Sequence, residues 1–173
     1  KFSLPSRIIE AKSFNQMIKE GCCNPFDIEN STGEAAICIC SYEFASRKEH
    51  ELARIPWDLV VMDEAHKLRN IYKSDGAKTA KKLSNALSGR KKILLSATPL
   101  QNSILELYGL VSVIDPHFFG DLASFKARYS RQNIDDAELA LLRVRLNKIC
   151  NRTLRRQVQQ EGGISFTRRH SIT

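Results

Sequence analysis

No stretch of this 173-residue chain comes near the ~20 consecutive apolar residues that a membrane-spanning helix needs, so no membrane partner is expected. The amino terminus also lacks the apolar core of a secretory signal, because Lys1-Phe2-Ser3-Leu4-Pro5 leads into a charged amphipathic stretch. Without an export signal, the Asn-x-Thr patterns at Asn30 and Asn151 carry no implication of glycosylation. Cysteine is scarce and odd in number, five in all, which argues against a disulfide framework. Cys22-Cys23 with Cys38-x-Cys40 would give four sulfurs, but adjacent cysteines fit poorly to the C-x₂₋₄-C spacing of zinc sites. Cys38 and Cys40 alternate onto one strand face, where a free cysteine behaves as a small buried hydrophobe. A further absence is the most telling: the chain contains no Gly-x-x-x-x-Gly-Lys-Ser/Thr phosphate loop.

What is present is an ordinary globular composition, 42% apolar and 27% charged, at a one-domain length. The net charge of +8 and the pI near 9.4 favour polyanionic partners such as nucleic acid. Between Lys126 and Arg169 eleven basic residues face four acidic ones, an excess of +7 in that part. A solvated basic helix face is the competing reading of that excess.

Two short apolar runs end in polar clusters. Leu59-Val60-Val61-Met62 leads into Asp63-Glu64-Ala65-His66, and Leu94-Leu95 leads into Ser96-Ala97-Thr98-Pro99. Ligands of open parallel sheets sit beyond the carboxyl ends of the strands, so both clusters are expected to face one crevice. There Asp63 can hold a metal ion on phosphates and Glu64 can polarise a water. The competing reading of each acid is a solvated strand-end carboxylate. By this reading half of an ATP site is present and half is not.

Along the chain, the apolar spacing predicts a helix over Ile8–Glu20 closed by Gly21, then an irregular Cys22–Gly33. Strands are expected at Ala35–Cys40, Asp58–Asp63 and Lys92–Ser96, with helical sequence at Tyr42–Arg54, Gly76–Leu87, Ser103–Ile114, Asp121–Tyr129 and Asp135–Ile149. Strands alternating with helices predict an α/β fold built on one mainly parallel sheet. Gly162-Gly163 reads as a linker, and no internal repeat occurs.

Asp63-Glu64-Ala65-His66-Lys67-Leu68-Arg69-Asn70 resembles the Walker B box of the Snf/Swi family of helicase-like ATPases. Leu94-Leu95-Ser96-Ala97-Thr98-Pro99-Leu100-Gln101-Asn102 resembles that family's third motif. Glu106-Leu107-Tyr108-Gly109-Leu110 with Ile114-Asp115-Pro116 and Phe118-Phe119-Gly120 is similar to the segment that follows, and Arg152-Thr153-Leu154-Arg155-Arg156-Gln157-Val158 to the arginine-rich close of the first motor lobe. Ser41-Tyr42 is similar to a nucleic-acid-contacting motif of the same family. The likeness runs from about residue 35 onward, and bacterial members are the nearest in pattern.

The resemblance implies a three-layer RecA-like lobe, incomplete at its N-terminus, over residues 1–160, with 161–173 as a linker toward a second RecA-like lobe. It implies ATP and Mg²⁺ as cofactors. Asp63 would hold Mg²⁺ through water, Glu64 would activate the attacking water, and His66, Ser96 and Thr98 would couple the nucleotide to the nucleic-acid side. Gln101, Asn102, Arg155 and Arg156 would contact nucleic acid or couple the lobes, and Ser41 and Tyr42 would touch a phosphate backbone. Local hydrogen bonding at a strand–turn junction competes for Ser96 and Thr98, an ordinary turn role for Gln101 and Asn102, a helix cap for Ser41 and Tyr42, and a solvated basic pair for Arg155 and Arg156. Double-stranded DNA is the implied partner, in chromatin or RNA polymerase complexes, and the implied location is the bacterial nucleoid in the cytoplasm or the eukaryotic nucleus.

The sequence departs from the family pattern in lacking the phosphate loop, the adenine-reading glutamine and the second lobe with its arginine finger. With Lys rather than Met at position 1, these departures are expected to reflect a piece of a longer ATPase that hydrolyses no ATP alone and exposes an apolar flank. Two rivals stay open: a noncatalytic basic module that docks DNA or protein, and the same half-site in an RNA helicase or restriction motor.

Overall fold

The computed structural model describes residues 4–28, 36–75, 77–98, 103–130 and 134–151. It opens with a parallel strand–helix–strand unit: β1 (Ser6–Ile8), α1 (Ala11–Lys19) and β2 (Ile37–Ile39), with Arg7 opposite Cys38. The ladder continues past the strand ends, where Ile37 N donates to Pro5 O at 2.9 Å and Ile9 N to Ile39 O at 2.8 Å. Ser13 Oγ accepts from Glu10 N at 3.0 Å and satisfies an otherwise orphaned donor where α1 begins. Gly21 closes the helix region at φ +93°, a conformation glycine adopts without steric cost. The helix expected from Ile8 therefore starts three residues late. Ile8 belongs to a strand, since β-branched Ile8-Ile9 suits a ladder as well as a helix and pairing with β2 decides between them.

After β2 the chain forms α2 (Tyr42–Arg47) and α3 (Glu49–Ala53), two short helices where the sequence predicted one. Lys48 separates them at φ −109°, ψ 33°, and its Nζ lies 4.3 Å from the centroid of the Phe14 ring. A second parallel unit follows: β3 (Val60–Met62), a 3₁₀ helix (Ala65–Leu68), α4 (Lys78–Ala86) and β4 (Lys92–Leu94). Val60, Val61 and Met62 stand opposite Lys92, Ile93 and Leu94. The strands do not form the single sheet expected from the alternation. Among the described residues they make two two-stranded sheets, β1–β2 and β3–β4. Apolar periodicity marks a strand but does not name its neighbour, which is why the pairing was not legible.

The core lies on one face of these strands. Phe14, Phe26 and Phe44 meet at centroid distances of 5.6–6.2 Å, and Met62, Leu68, Leu83 and Leu110 join the same cluster. Cys38 and Cys40 pack half-buried against it as free thiols, with no group of three or more metal-ligating side chains among the described residues. The outward residues Ile8, Val61 and Ile93 are 68%, 55% and 46% exposed, so the apolar surface expected at a flank is instead a sheet face. Parallel sheets are normally covered on both faces.

Beyond β4, α5 (Ile104–Ile114) starts at Ser103, whose side chain accepts from Leu105 N, and α6 (Leu122–Tyr129) starts at Asp121, which accepts from Ser124 N. Tyr108, Phe119, Phe125 and Tyr129 form a second aromatic cluster, and Tyr108 Oη donates to Gly120 O at 3.0 Å. Contacts divide the chain after Arg131. In the second unit α7 (Asp136–Leu146) is capped by Asp135 and carries acids in its first turn and arginines in its last, in the sense the helix dipole favours. No helix among the described residues is long and apolar enough to cross a membrane.

Candidate functional site

The register of β3 and β4 puts Asp63 and Ser96 at the same carboxyl edge. Leu95 N donates to Met62 O at 2.9 Å, and Ala65 N donates to Leu95 O at 2.8 Å, so the two strand ends are laced together. The common edge expected for the two polar clusters is thus the arrangement found, in an α/β framework of parallel strands.

Between these ties the chain turns sharply. Glu64 stands at φ 51°, ψ 43°, the only non-glycine residue with positive φ among those described. Left-handed backbone costs an L-residue about 1–2 kcal/mol, so it persists only where its surroundings impose it. Three contacts impose it here. Asp63 Oδ1 accepts from Glu64 N at 2.9 Å, Tyr42 Oη donates to Asp63 O at 2.6 Å, and the Ala65–Leu95 bond holds the far side. The turn leaves the Glu64 side chain 57% exposed and lets the chain enter the 3₁₀ helix, where Ala65 and Leu68 plug the core.

His66 follows, with Nδ1 3.1 Å from Glu64 Oε2. That nitrogen is buried, and its contact with the carboxylate is off the line of a hydrogen bond, so it is a close polar approach with unspent hydrogen-bonding capacity. On the neighbouring strand end, Ser96 Oγ accepts from Thr98 N at 3.2 Å, the local strand–turn bond weighed against a coupling role. Thr98 is exposed.

Ser41 caps α2 by accepting from Phe44 N at 3.2 Å. Tyr42 is half-buried, and its phenol is pushed up to about 12, first by burial and then by the charges of Asp63 and Glu64. The structure therefore gathers Tyr42, Asp63, Glu64, His66, Ser96 and Thr98 at one edge. Gln101, Asn102, Arg155 and Arg156 lie outside the described residues.

Sequence reasoning missed two features. One is an ion pair between Arg69 Nε and Glu106 Oε1 at 3.4 Å, with side chains 19% and 6% exposed, joining the end of the 3₁₀ helix to α5. A buried glutamate in an otherwise apolar helix was the available signal. The other is charge: residues 67–92 hold nine basic residues and one acid, Asp75. An open cleft of about 450 Å³ lies on this stretch, lined by Tyr72, Lys73, Ser74, Asp75 and Lys126. The excess counted from Lys126 onward falls largely outside the described residues, whereas this one lies almost wholly within them.

The donor set suits Mg²⁺, a hard cation that takes one or two carboxylates and keeps several waters, because Asp63 and Glu64 are adjacent and exposed. The sequence has no Gly-x-x-x-x-Gly-Lys-Ser/Thr phosphate-loop motif to cradle a triphosphate.

A parallel-strand framework with acids at one strand end and a hydroxyl-bearing turn at the next is an α/β arrangement whose ligands bind beyond the carboxyl ends of the strands. The chain matches the SNF2-related domain over residues 8–170, and it belongs to that family. It is 29% identical over 126 residues to the ISWI chromatin-remodeling complex ATPase ISW2 of Saccharomyces cerevisiae, covering 72% of this chain and 11% of that protein. It is 35% identical over 109 residues to the mouse DNA repair and recombination protein RAD54B, covering 63% and 12%. It is 32% identical over 130 residues to the Zorya protein ZorD of Escherichia coli, covering 74% and 12%. The chain thus spans about a tenth of the length of these relatives.

Proposed function

We propose that this segment supplies the metal-holding and water-activating part of a motor ATPase that moves on duplex DNA and remodels protein–DNA complexes, chromatin or transcription complexes among them. The observation that carries the reading is the Asp63–Glu64 turn, strained at Glu64 and set beside Ser96 at the carboxyl edge of paired parallel strands. In such a site Mg-ATP supplies the phosphoryl group and its leaving group. Asp63 would hold the metal, and the exposed Glu64 carboxylate would accept the proton of the attacking water. His66, close to Glu64 Oε2, senses where that carboxylate points. Ser96 and Thr98, on the strand end laced to Ala65, carry the state of the site toward α5.

Duplex DNA as the track is supported by relatives named for chromatin remodelling and for DNA repair and recombination. It is also supported by the basic stretch 67–92. Lys73, Lys78, Lys81 and Lys82 are exposed, and Lys73 and Lys126 line one cleft. Lysines presented without base-reading geometry neutralise phosphates irrespective of sequence.

The test is Glu64→Gln in the intact protein. Nucleotide binding should stay near normal while DNA-stimulated hydrolysis falls by about 10²–10⁴-fold. Unchanged turnover would remove Glu64 from the role of base.

A further inference from the structure

The Ser41-Tyr42 pair is similar in sequence to a nucleic-acid-contacting motif, yet both hydroxyl oxygens are hydrogen-bonded to other residues of the chain. Ser41 Oγ accepts from Phe44 N, and Tyr42 Oη donates to Asp63 O at 2.6 Å across 21 residues of sequence. That 2.6 Å bond is at the short end of the range for O–H···O contacts. It joins the start of α2, just past β2, to the residue just past β3. Among the described residues β2 and β3 belong to different sheets, so the bond is a direct polar tie between them at the edge where the acids sit. It also lands on the carbonyl of Asp63, the peptide that leads into the left-handed Glu64.

From this geometry we infer that Tyr42 is a positioning residue for the Asp63–Glu64 turn and not a nucleic-acid contact. Rotating the Asp63–Glu64 peptide would swing the Asp63 carbonyl away from the phenol and relax Glu64 out of its left-handed state. The hydroxyl resists that rotation and so fixes where the metal-holding and water-activating carboxylates point. The inference rests on the catalytic reading of Asp63 and Glu64 above.

The experiment is Tyr42→Phe in the intact protein, a change that removes one hydroxyl and leaves the ring. Turnover at saturating duplex DNA, KM for ATP, duplex affinity by fluorescence anisotropy and thermal melting are measured together. Asn24→Ala serves as the control, because away from the site it deletes the bond from Asn24 Nδ2 to Glu51 O at 2.8 Å together with the one Asn24 Oδ1 accepts from Phe26 N at 3.1 Å, a larger local loss than one hydroxyl. One lost hydrogen bond should lower kcat by about 3–10-fold in Tyr42→Phe, with KM and duplex affinity within about twofold of the parent. Asn24→Ala should keep the parent kcat. Weaker duplex binding with an unchanged kcat at saturation would overturn the inference in favour of a nucleic-acid contact. Unchanged kcat and affinity, or an equal fall in kcat for Asn24→Ala, would overturn it too. Glu64→Gln assayed alongside separates the two levels. Full turnover in Glu64→Gln removes the catalytic reading and this inference with it, whereas an inactive Glu64→Gln beside a fully active Tyr42→Phe removes the positioning role alone.

Discussion

Arg69 Nε lies 3.4 Å from Glu106 Oε1, and both side chains are largely withdrawn from water. The pair fastens the turn that carries Asp63, Glu64 and His66 to the helix that follows the Ser96–Thr98 strand end. Removing Glu106 takes away a carboxylate that Arg69 faces where both side chains are largely dry. Glu106→Ala should therefore cost about 3–5 kcal/mol of stability, read from the urea midpoint of the intact protein. A midpoint shift equivalent to less than about 1 kcal/mol would mean that water reaches Arg69 freely.

Three residues along α5, Gly109 lets the backbones meet. A Cβ there would fall on the carbonyl of Arg69, with the Tyr72 ring at 3.2 Å on the same side. Neither obstacle is the far end of a flexible side chain. Gly109→Ala should destabilise by about 1–3 kcal/mol despite alanine's better helix propensity, whereas the same change at an open helix site would stabilise. Differential scanning calorimetry of Gly109→Ala in the intact protein decides it, and an unchanged or raised melting temperature would contradict the close approach.

The raised phenol of Tyr42 has a pH consequence. Its ordinary value is 10.0 and its folded value is about 12, so between these the native state holds a proton that the unfolded state has released. The stabilisation is complete below pH 10 and is lost as pH rises toward 12. In urea titrations the difference between parent and Tyr42→Phe should be constant up to about pH 10 and shrink above it. A difference that grows with pH would contradict the raised phenol.

The 173 residues alone should turn over no ATP, because backbone amides and the lysine of a phosphate loop normally make most triphosphate contacts. Hydrolysis in a tag-free preparation, abolished by Glu64→Gln, would show another cradle in this chain.

Binding of these residues to duplex DNA should be weak, on the order of 10⁻⁴–10⁻⁶ M, indifferent to sequence and steeply weakened by salt. Lys73→Glu with Lys126→Glu should lower the salt slope by about 2 in an anisotropy series. An unchanged slope would take the cleft between these lysines out of the interface.

Much of the site was legible because its signals are local. An apolar run followed by Asp63-Glu64 or Ser96-Ala97-Thr98 reports a strand and the polar residues at its end, and parallel connection then puts both ends at one edge. Helix starts at Ser103, Asp121 and Asp135 were legible for the same reason, since a cap acts within three residues of its own position. What only the tertiary structure decided are relations between distant segments: β1 beside β2 instead of an earlier start of α1, two strand pairs instead of one sheet, Arg69 against Glu106, and Tyr42 turned inward onto Asp63. Tyr42 shows why. A tyrosine in the first turn of a short helix can face solvent or a carbonyl with equal local propensity, and the fold of the 20 residues between them places that carbonyl 2.6 Å from its hydroxyl. Side-chain type fixes what a group can do, while packing across the core fixes which partner it does it with.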